Sequence, residues 1–400
     1  MHRNLPLKQV VATGEVQGGR QRSPHMKEGR TVPYLRVANV FDGYIDFADL
    51  NRMPFKPQEI ETYRLKRGDI LLNEGQSVEL VGRCAMYVGG PEDCCFQNTL
   101  IRYRSGPETD PDYAVQLFRY CQAIGVFSRI AVKTNSIAHL GVTRFAELEL
   151  PFPVFEEQNK IAAVLRTWDE AIETLNSLIA AKIAKFASCS QRFFVSCHPS
   201  FAGRGQGWKP FTLGNLFTER TEPGLASDVL LSITMADGVI SQEEVGRRDG
   251  SAEDKSSYKL ILPGDIGYNT MRMWQGVCGL SMRRGIVSPA YTVVTPIEER
   301  INGRYAFHLF KSKRMIHDFE RYSQGLTSDT WNLKFPAFSE IKVFLPDIRI
   351  QVAQADYLDA MKEELEVLKR QVDALSRQKR GLMQKLLTGQ WRVKADGGAR

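Results

Sequence analysis

Cysteine is scarce in this sequence, and it does not occur in the patterns that bind metal ions. The 400 residues include seven irregularly spaced cysteines, namely Cys84, Cys94, Cys95, Cys121, Cys189, Cys197 and Cys278. An odd count without a secretion signal is typical of a protein that keeps its thiols reduced. Neither Cys94-Cys95 nor Cys197-His198 has the two-plus-two ligand spacing of a zinc site. The sequence therefore predicts buried or incidental thiols and no metal site.

Nucleotide-binding and catalytic motifs are also missing. There is no G-x4-G-K-[ST], G-x-G-x-x-G, H-E-x-x-H or G-x-S-x-G segment, and no Asn/Asp-Pro-Pro-aromatic segment of the kind that base-amino methyltransferases use. Pro346-Asp347 resembles the start of a nuclease motif, but Glu363 and Glu364 lie on the solvent side of a predicted helix, whereas metal-ion catalysis needs converging carboxylates. The histidines form no triad spacing: His2, His25, His139, His198, His308 and His317. We predict a chain that has no catalytic centre and binds no cofactor.

Long hydrophobic runs are absent, and none approaches the roughly 20 apolar residues that a membrane span requires. The first six residues lack the apolar region of a signal peptide, which predicts a cytoplasmic protein. The hydrophobic fraction of 43% and charged fraction of 25% are those of a globular protein, and a chain of this length predicts two or three domains. The net charge of +7 permits a nucleic-acid partner without requiring one.

The second half of the sequence repeats the first at a nearly constant offset. The segment at Asp42-Gly43 returns 195 residues later, Gly68-Asp69-Ile70 returns 196 later, and Tyr113-Ala114 returns 192 later. The offset is then constant at 193 for Thr134/Thr327, Leu140/Leu333, Phe145/Phe338, Glu147/Glu340, Leu148/Ile341, Leu150/Val343, Pro153/Pro346 and Gln158/Gln351. A constant offset over some sixty residues predicts two copies of one scaffold.

The loops between these framework residues differ between the copies. Residues 73–79 read NEGQSVE, whereas the equivalent residues 269–275 read NTMRMWQ. One scaffold carrying two different binding surfaces explains this divergence. Duplication followed by drift explains it as well, because loops vary faster than cores. The divergence alone leaves both explanations open.

Each half is predicted to contain an α+β domain followed by a long helix. Short apolar runs separated by Gly, Asp and Asn indicate strands, and helical stretches are predicted at 111–130 and 305–322. The predicted boundaries are 1–152 for the first domain, 153–195 for the first long helix, 196–210 for a linker, 211–345 for the second domain, 346–388 for the second long helix and 389–400 for a tail. The predicted fold class is α+β, with two pseudo-twofold-related α/β domains separated by two long antiparallel coiled-coil helices.

Both long helices have a hydrophobic seam with alternating steps of four and three residues, which is typical of a coiled coil. Lys182 and Lys379 each fill the one polar position of their seam. The seam residues are Ile161, Leu165, Trp168, Ile172, Leu175 and Ile179 in the first helix, and Leu358, Met361, Leu365, Leu368, Val372 and Leu375 in the second. Antiparallel pairing within one chain is the economical arrangement. Dimerisation of either helix with another molecule remains an alternative.

The length of the helices suggests a function as a spacer. Some 35 residues at about 1.5 Å per residue give a rod of roughly 50 Å, against about 34–36 Å for one turn of DNA. A rod of this length would hold two reading domains about one and a half turns apart. The expected target is therefore a bipartite DNA sequence with unread base pairs between its halves.

Three segments carry a resemblance to a known family. They are the C-terminal RGLMQKLLTG at 380–389, the approach LPFPVFEEQ at 150–158, and the Gly-Asp-Ile turns at Gly68 and Gly264. Over nearly its whole length, the chain resembles the specificity subunit of a type I restriction-modification system. It departs from that pattern at 345–351, which lacks the Glu before Gln351, and in the loose segments KTNS (133–136) and LTSD (326–329).

The resemblance implies two target-recognition domains, two spacer helices and double-stranded DNA as a ligand. It also implies two methyltransferase subunits that methylate adenine with S-adenosylmethionine, and two ATP- and Mg-dependent restriction/translocase subunits. The target adenine would be flipped into the methyltransferase. The chain itself would only recognise the target sequence and set the geometry of the complex.

Phosphate contacts call for Arg or Lys, and base-edge contacts for Arg, Asn or Gln. The candidate DNA-binding residues of the first domain are Arg20, Arg22, Arg36, Asn39, Gln76, Ser77, Lys133 and Asn135. Those of the second are Arg247, Arg248, Arg272, Trp274, Gln275 and Ser328. Each polar residue has an alternative interpretation as an ordinary surface residue, and Trp274 as part of the core.

Two other functions are compatible with a duplicated, rod-containing chain. The first is a scaffold or adhesion protein that does not bind DNA. The second is a divergent nuclease whose active site has no recognisable motif. A gapped, bipartite pattern of methylated adenines would distinguish the DNA-specificity function from both.

Overall fold

The computed structural model describes residues 5–21, 28–134, 136–197, 207–225, 227–235, 237–246, 255–327 and 330–393. The chain forms two compact units. Unit 1 consists of Met1–Asn176 and Gln371–Arg400, and unit 2 consists of Ser177–Arg370. Each long helix therefore contributes residues to both units.

Unit 1 contains a four-stranded antiparallel sheet and three smaller sheets. Its strands are β1 (Leu7–Gln9), β2 (Gly14–Gly18), β3 (Arg30–Leu35), β4 (Asn51–Phe55), β5 (Ile70–Asn73), β6 (Gly75–Gln76), β7 (Cys84–Met86), β8 (Cys95–Phe96), β9 (Leu100–Ser105), β10 (Val132–Lys133), β11 (Ala138–His139) and β12 (Glu149–Pro151). The sheet orders are β2-β9-β5-β7, β4-β3-β8, β10-β11-β6 and β1-β12. Strand β5 is buried along its whole length, as expected for a central strand.

Unit 2 has a four-stranded sheet with the equivalent strand order. Its strands are β13 (Lys209–Thr212), β14 (Phe217–Arg220), β15 (Leu231–Thr234), β16 (Gly238–Ser241), β17 (Lys259–Ile261), β18 (Ile266–Asn269), β19 (Cys278–Leu280), β20 (Gly285–Val287), β21 (Tyr291–Pro296) and β22 (Lys342–Leu345). The main sheet runs β14-β21-β18-β19, and β13-β22, β15-β16 and β17-β20 form pairs. Even the registers agree, since Ile70 pairs with Tyr103 and Met86 while Ile266 pairs with Val294 and Leu280.

The helices confirm the mixed α+β class, with breaks inside both predicted helical stretches. The helices are α1 (Pro57–Tyr63), α2 (Pro111–Ala123), α3 (Val126–Ile130), α4 (Val142–Ala146), α5 (Phe155–Phe194), α6 (Gly303–Phe310), α7 (Lys313–Tyr322), α8 (Phe335–Ser339) and α9 (Ile348–Leu387). Gly125 interrupts the first stretch between α2 and α3. It has a left-handed conformation (φ 73°), which glycine adopts without strain. Ser312 interrupts the second by accepting a hydrogen bond from the amide of Met315 at 3.3 Å, as an N-cap residue does.

The Gly-Asp-Ile turns are framework elements in both units. Gly68 and Gly264 each have a φ of 93°, and the following Asp69 and Asp265 are each 1% exposed. Asp69 accepts hydrogen bonds from Arg104 of β9 at 2.7 and 2.8 Å. Asp265 has an arginine partner too, but from a different strand: Arg220 of β14, at 2.8 and 3.3 Å. The repeat has therefore conserved the charge pair while changing the strand that supplies the cation.

The helices α5 and α9 are each 40 residues long and are related by the offset of 193. In unit 1, Ile161 and Leu165 of α5 share a core with Met383 and Leu386 of α9. In unit 2, Phe194 near the end of α5 shares a core with Ala355 and Leu358 near the start of α9. The start of each helix thus packs with the end of the other, which confirms the predicted antiparallel pairing within one chain.

The seam residues are all buried or half-buried, and the two seam lysines both have acidic partners. Lys379 lies 2.6 Å from Asp169 in unit 1, and Lys182 lies 2.7 Å from Glu364 in unit 2. Among the described helices, none is long and apolar enough to cross a membrane.

A buried glutamine joins the start of each long helix to the α+β region of its unit. Gln158 accepts a hydrogen bond from the amide of Asp110 at 2.9 Å and donates to the carbonyls of Glu108 and Pro153. Gln351 makes the same three bonds to Asn302, Arg300 and Pro346. The glutamine of the family-like approach segment is therefore a structural link, repeated bond for bond.

His308 gives unit 2 a pH dependence that the equivalent Gln116 does not give unit 1. It is 3% exposed and lies 2.6 Å from Asp359. Burial lowers its pKa below the ordinary 6.5, with Lys362 and Arg304 adding to this effect and Asp359 opposing it. The folded unit favours the neutral ring, so this contribution is present above about pH 6.5 and is lost as the pH falls below it, because the unfolded chain binds the proton first.

We expect the free energy of unfolding of the wild-type chain to decrease between pH 7.5 and pH 5.5 more than that of His308→Gln, which carries the residue found in unit 1. Urea unfolding at both pH values measures the difference. Equal pH dependence in the two proteins would exclude His308 as its source.

Candidate nucleic-acid interface

The structure brings two of the sequence-predicted loop segments of unit 1 together. The amide of Leu140 donates to the carbonyl of Glu74 at 2.7 Å. In the β10-β11-β6 sheet, Ala138 is paired with Lys133 on one side and Gln76 on the other. The segments 74–77, 132–134 and 136–140 therefore form one surface, called here loop surface 1.

Unit 2 forms the equivalent surface with the same framework bond. The amide of Leu333 donates to the carbonyl of Thr270 at 2.8 Å, and Gln324 and Asn332 form an isolated antiparallel bridge. The segments 270–275, 324–327 and 330–333 thus lie together and are called here loop surface 2. Two surfaces with different side chains are held by one repeated framework.

Loop surface 1 carries mainly polar groups, beside the exposed Val132 and Ile137. Lys133 is exposed, whereas Gln76 and Ser77 are half-buried. The Gln76 side-chain oxygen accepts a hydrogen bond from the Ser77 amide at 3.2 Å. His139 lies beside these residues, with its ring 3.1 Å from Glu74. Amide, hydroxyl, ammonium and imidazole groups are the donors and acceptors suited to base edges and phosphates.

Loop surface 2 is aromatic and basic instead. Arg272 and Gln275 are exposed. Trp274 is half-buried, donates its indole N–H to the carbonyl of Met271 at 2.9 Å, and packs edge to face on Trp331 with ring centroids 5.4 Å apart. Exposed apolar groups lie in the same loops, namely Met271 at 50% and Leu326 at 101% exposure.

Trp331 was not among the candidates proposed from the sequence. It follows the candidate Ser328 by three residues and is one of only five tryptophans in the chain. Its position close to a predicted loop contact is the feature of the sequence that could have identified Trp331. A stack of Phe41 and Tyr44 in unit 1 was missed as well: their centroids are 4.9 Å apart, Arg83 lies 4.8 Å from the Phe41 ring, and Tyr44 is 58% exposed.

The candidate arginines near the N-terminus, Arg20 and Arg36, both form ion pairs within unit 1. Arg20 forms an ion pair with Glu59 at 2.6 Å, and Arg36 forms one with Asp49. Such partly exposed pairs contribute only about 0–1 kcal/mol, so they do not prevent either arginine from binding a phosphate. The two segments lie near each other, because residues 96–99 hydrogen-bond to both 20 and 35–37.

The expectation for Asn39 needs correction. The residue is 2% exposed, and its amide nitrogen donates to the carbonyls of Asp46 and Asp49 at 3.1 and 2.9 Å. Its side-chain oxygen accepts from the amide of Arg36 at 3.0 Å. A side chain that is buried and engaged in this way stabilises its own loop and is not available to a ligand. Five further candidates lie outside the described residues: Arg22, Asn135, Arg247, Arg248 and Ser328.

The thiols in the described part of the chain are free, and all but the half-buried Cys189 are buried. Burial raises the pKa of Cys94 to about 12 and that of Cys278 to about 11, which keeps both thiols protonated. Within the described ranges, no three His, Cys, Asp or Glu side chains are grouped so that they could hold a metal ion. The described loop surfaces thus offer hydrogen-bonding, cationic and aromatic groups that could take part in recognition.

Comparison with known proteins associates this framework with one family. A family model for the type I restriction modification DNA specificity domain matches residues 8–183. The putative type I restriction enzyme MjaX specificity subunit of Methanocaldococcus jannaschii is 23% identical over 383 residues, which cover 90% of this chain and 88% of that protein. The type I restriction enzyme MjaVIII specificity subunit of the same organism is 24% identical over 295 residues, with coverage of 67% and 68%.

Solved structures share the fold over nearly the whole chain. The S subunit of a type I restriction-modification system from M. genitalium matches with a TM-score of 0.57 and 16% identity, covering 97% of both chains. A chain from a structure of complex assembly and conformational transition in the type I R-M system matches with a TM-score of 0.58 and 14% identity, covering 97% of this chain and 100% of that one. The family model thus matches the first half of the chain, whereas the similar relatives and solved structures span both halves.

Proposed function

We propose that this chain is the DNA-specificity subunit of a type I restriction-modification complex and that each unit reads one half of a bipartite, gapped target. One observation carries the proposal. The same framework bonds, from Leu140 to Glu74 and from Leu333 to Thr270, hold two loop surfaces of different chemistry. Two readers of different sequences require equivalent scaffolds with different recognition groups. The scaffold positions the reader on the DNA, and the contacts with the bases determine which sequence is read.

The proposal extends to the assembly in which the chain acts. In this assembly the chain itself would contribute no catalytic group and no cofactor site. Two methyltransferase subunits would use S-adenosylmethionine to methylate an adenine in each half of the target. Two restriction/translocase subunits would use ATP and Mg to restrict unmodified DNA. All of these steps would take place in the cytoplasm, where the DNA is accessible.

The test is to express the chain with its cognate methyltransferase subunit in a host that lacks other adenine methylation, and to map modified adenines across the genome. A gapped motif with two specified halves is the expected result. Replacing residues 1–150 by the equivalent domain of another such subunit should change one half of the motif, and replacing 211–345 should change the other. No motif, a continuous motif, or a change in both halves from one exchange would contradict the proposal.

The proposed DNA function can be separated from a scaffold function in the same experiment. A scaffold that binds the methyltransferase without reading DNA would copurify with it, yet the methylated sites would not change with either exchange. A divergent nuclease would cleave DNA without any partner subunit.

A further inference from the structure

The two long helices agree over most of their hydrophobic seams but differ in charge at several positions, of which one pair makes contact in both units. The offset of 193 aligns Leu165 with Leu358, Ile172 with Leu365 and Leu175 with Leu368. At the same offset, Asp169 is aligned with Lys362, and Phe186 is aligned with Lys379. The seam residues are thus interchangeable between the helices, whereas these two pairs of residues are not.

In unit 1 the two positions form a hydrogen-bonded ion pair. The Lys379 ammonium is 2.6 Å from Asp169 and donates to Gln116 at 3.1 Å, while Gln116 donates to Asp169 at 2.7 Å. Arg119 lies 3.5 Å from the same carboxylate. Lys379 is 5% exposed, so its charge depends on these partners.

In unit 2 the equivalent positions form a contact between a cation and aromatic rings. The Lys362 ammonium lies 5.9 Å from the centroid of the Phe186 ring and 4.7 Å from that of Phe307. This arrangement is favourable for an ammonium group that has lost much of its water. Burial lowers the pKa of both Lys362 and Lys379, although Asp359 and Asp169 respectively oppose this effect, so holding either charge in the folded chain has a cost.

Self-pairing of either half would mismatch both positions. If the first half paired with a copy of itself, Asp169 would face Phe186 and lose the ammonium of Lys379. If the second half did so, the half-buried Lys362 would face the buried Lys379, and two ammonium groups would meet. The apolar seam residues would tolerate both arrangements, because most of them repeat between the halves. The Lys182–Glu364 ion pair of unit 2 would also be lost, because the equivalent residues are Leu375 and Ala171. Polar residues at seam positions are a known means of selecting one helix pairing over another.

We propose that Asp169, Phe186, Lys362 and Lys379 determine that α5 pairs with α9 and prevent each half of the chain from pairing with its own copy. The two contacts act together: one favours the correct pairing by attraction, and the other excludes the wrong pairing by repulsion.

The full-length double variant Phe186→Lys/Lys362→Asp tests the proposal. It gives unit 2 the Lys–Asp pair of unit 1, so the native pairing of α5 with α9 remains satisfied. Each half also becomes complementary to its own copy at these positions, and their contribution to the discrimination is removed. The single variant Phe186→Lys is the matched control, since it places a second lysine against Lys362 in the native pairing.

Isotopically light and heavy chains would be unfolded together, refolded, cross-linked and examined by light scattering and mass spectrometry. For the wild type we expect the 45.2 kDa monomer and no cross-links between light and heavy copies of the same helix. The double variant should give a dimer population with light–heavy links within α5 and within α9. The single variant should be less stable than either protein, with stability restored by the second substitution.

Two results would overturn the proposal. The first is a double variant that refolds without light–heavy links of α5 to α5 or α9 to α9. The second is a wild-type chain that already gives such links. Dimers linked only between α5 and α9 retain the native pairing, and they count against the proposal if they are the only dimers of the double variant.

Discussion

Replacing Phe338 by alanine is expected to lower the free energy of unfolding of unit 2 by about 3–5 kcal/mol, the range found for removal of a buried phenylalanine ring. Phe338 is fully buried, and five aromatic rings have centroids within 5.4 to 6.2 Å of its own, those of Phe217, Tyr268, Phe310, Phe319 and Phe335. These rings belong to the main sheet and to α6, α7 and α8, so the cavity would lie where these elements meet.

Hydrogen exchange of β18 and β21 measures this effect, together with urea unfolding. Phe335→Ala is the control, because that ring is only half-buried and contacts the same cluster from its edge. Its cost should be near 1 kcal/mol, as for most single substitutions. Equal effects of the two substitutions would mean that Phe338 is not the centre of this core.

The long helices were predictable from the sequence because their evidence is local. A heptad pattern is visible within one helix, and its recurrence at an offset of 193 identified the second copy. The partner of a polar seam residue is not local. Lys379 was recognised as an interruption of the seam, but Asp169 lies 210 residues away in sequence. Nothing in the periodicity of α9 indicates which residue of α5 it meets.

For the candidate site, too, the sequence predicted which segments are involved but not which side chains meet. Comparison of the repeats identified the variable loops, and the structure brings the segments of Gln76 and Lys133 together in one unit. The orientation of individual side chains was not predictable. Asn39 has the residue type expected for a base contact, yet its amide satisfies backbone groups in its own loop. Residue type suggests a contact, but burial and hydrogen-bond partners decide whether the side chain is available.

The Gly-Asp-Ile turns show why a repeated motif does not fix its own surroundings. The aspartate is buried in both units, so it requires a cation nearby. Arg104 and Arg220 meet that requirement from different strands of the sheet. The sequence repeat shows only the aspartate, because its arginine partner lies on non-equivalent strands in the two units.

On the proposed function, Arg272→Ala should weaken binding of the assembled complex to its mapped target by about 10- to 100-fold. Arg272 is exposed on loop surface 2 beside Trp274 and Gln275, and a well-formed arginine contact to a base is worth about 1–3 kcal/mol, where 1.4 kcal/mol is tenfold. Fluorescence anisotropy with a labelled duplex at one fixed salt concentration measures the loss. Arg370→Ala removes the same charge from the exposed side of α9 and should leave affinity within about twofold.

The affinity of Arg272→Ala for targets with single changed base pairs distinguishes a contact with a base from a contact with a phosphate. If Arg272 reads a base, the variant should lose discrimination at one base pair of one half-target and retain it in the other half. If it binds only a phosphate, binding should weaken uniformly across sequences, and the slope of log affinity against log salt should decrease by about 1. Unchanged affinity in Arg272→Ala would remove loop surface 2 from the DNA interface, because this is its exposed cation beside the tryptophan pair.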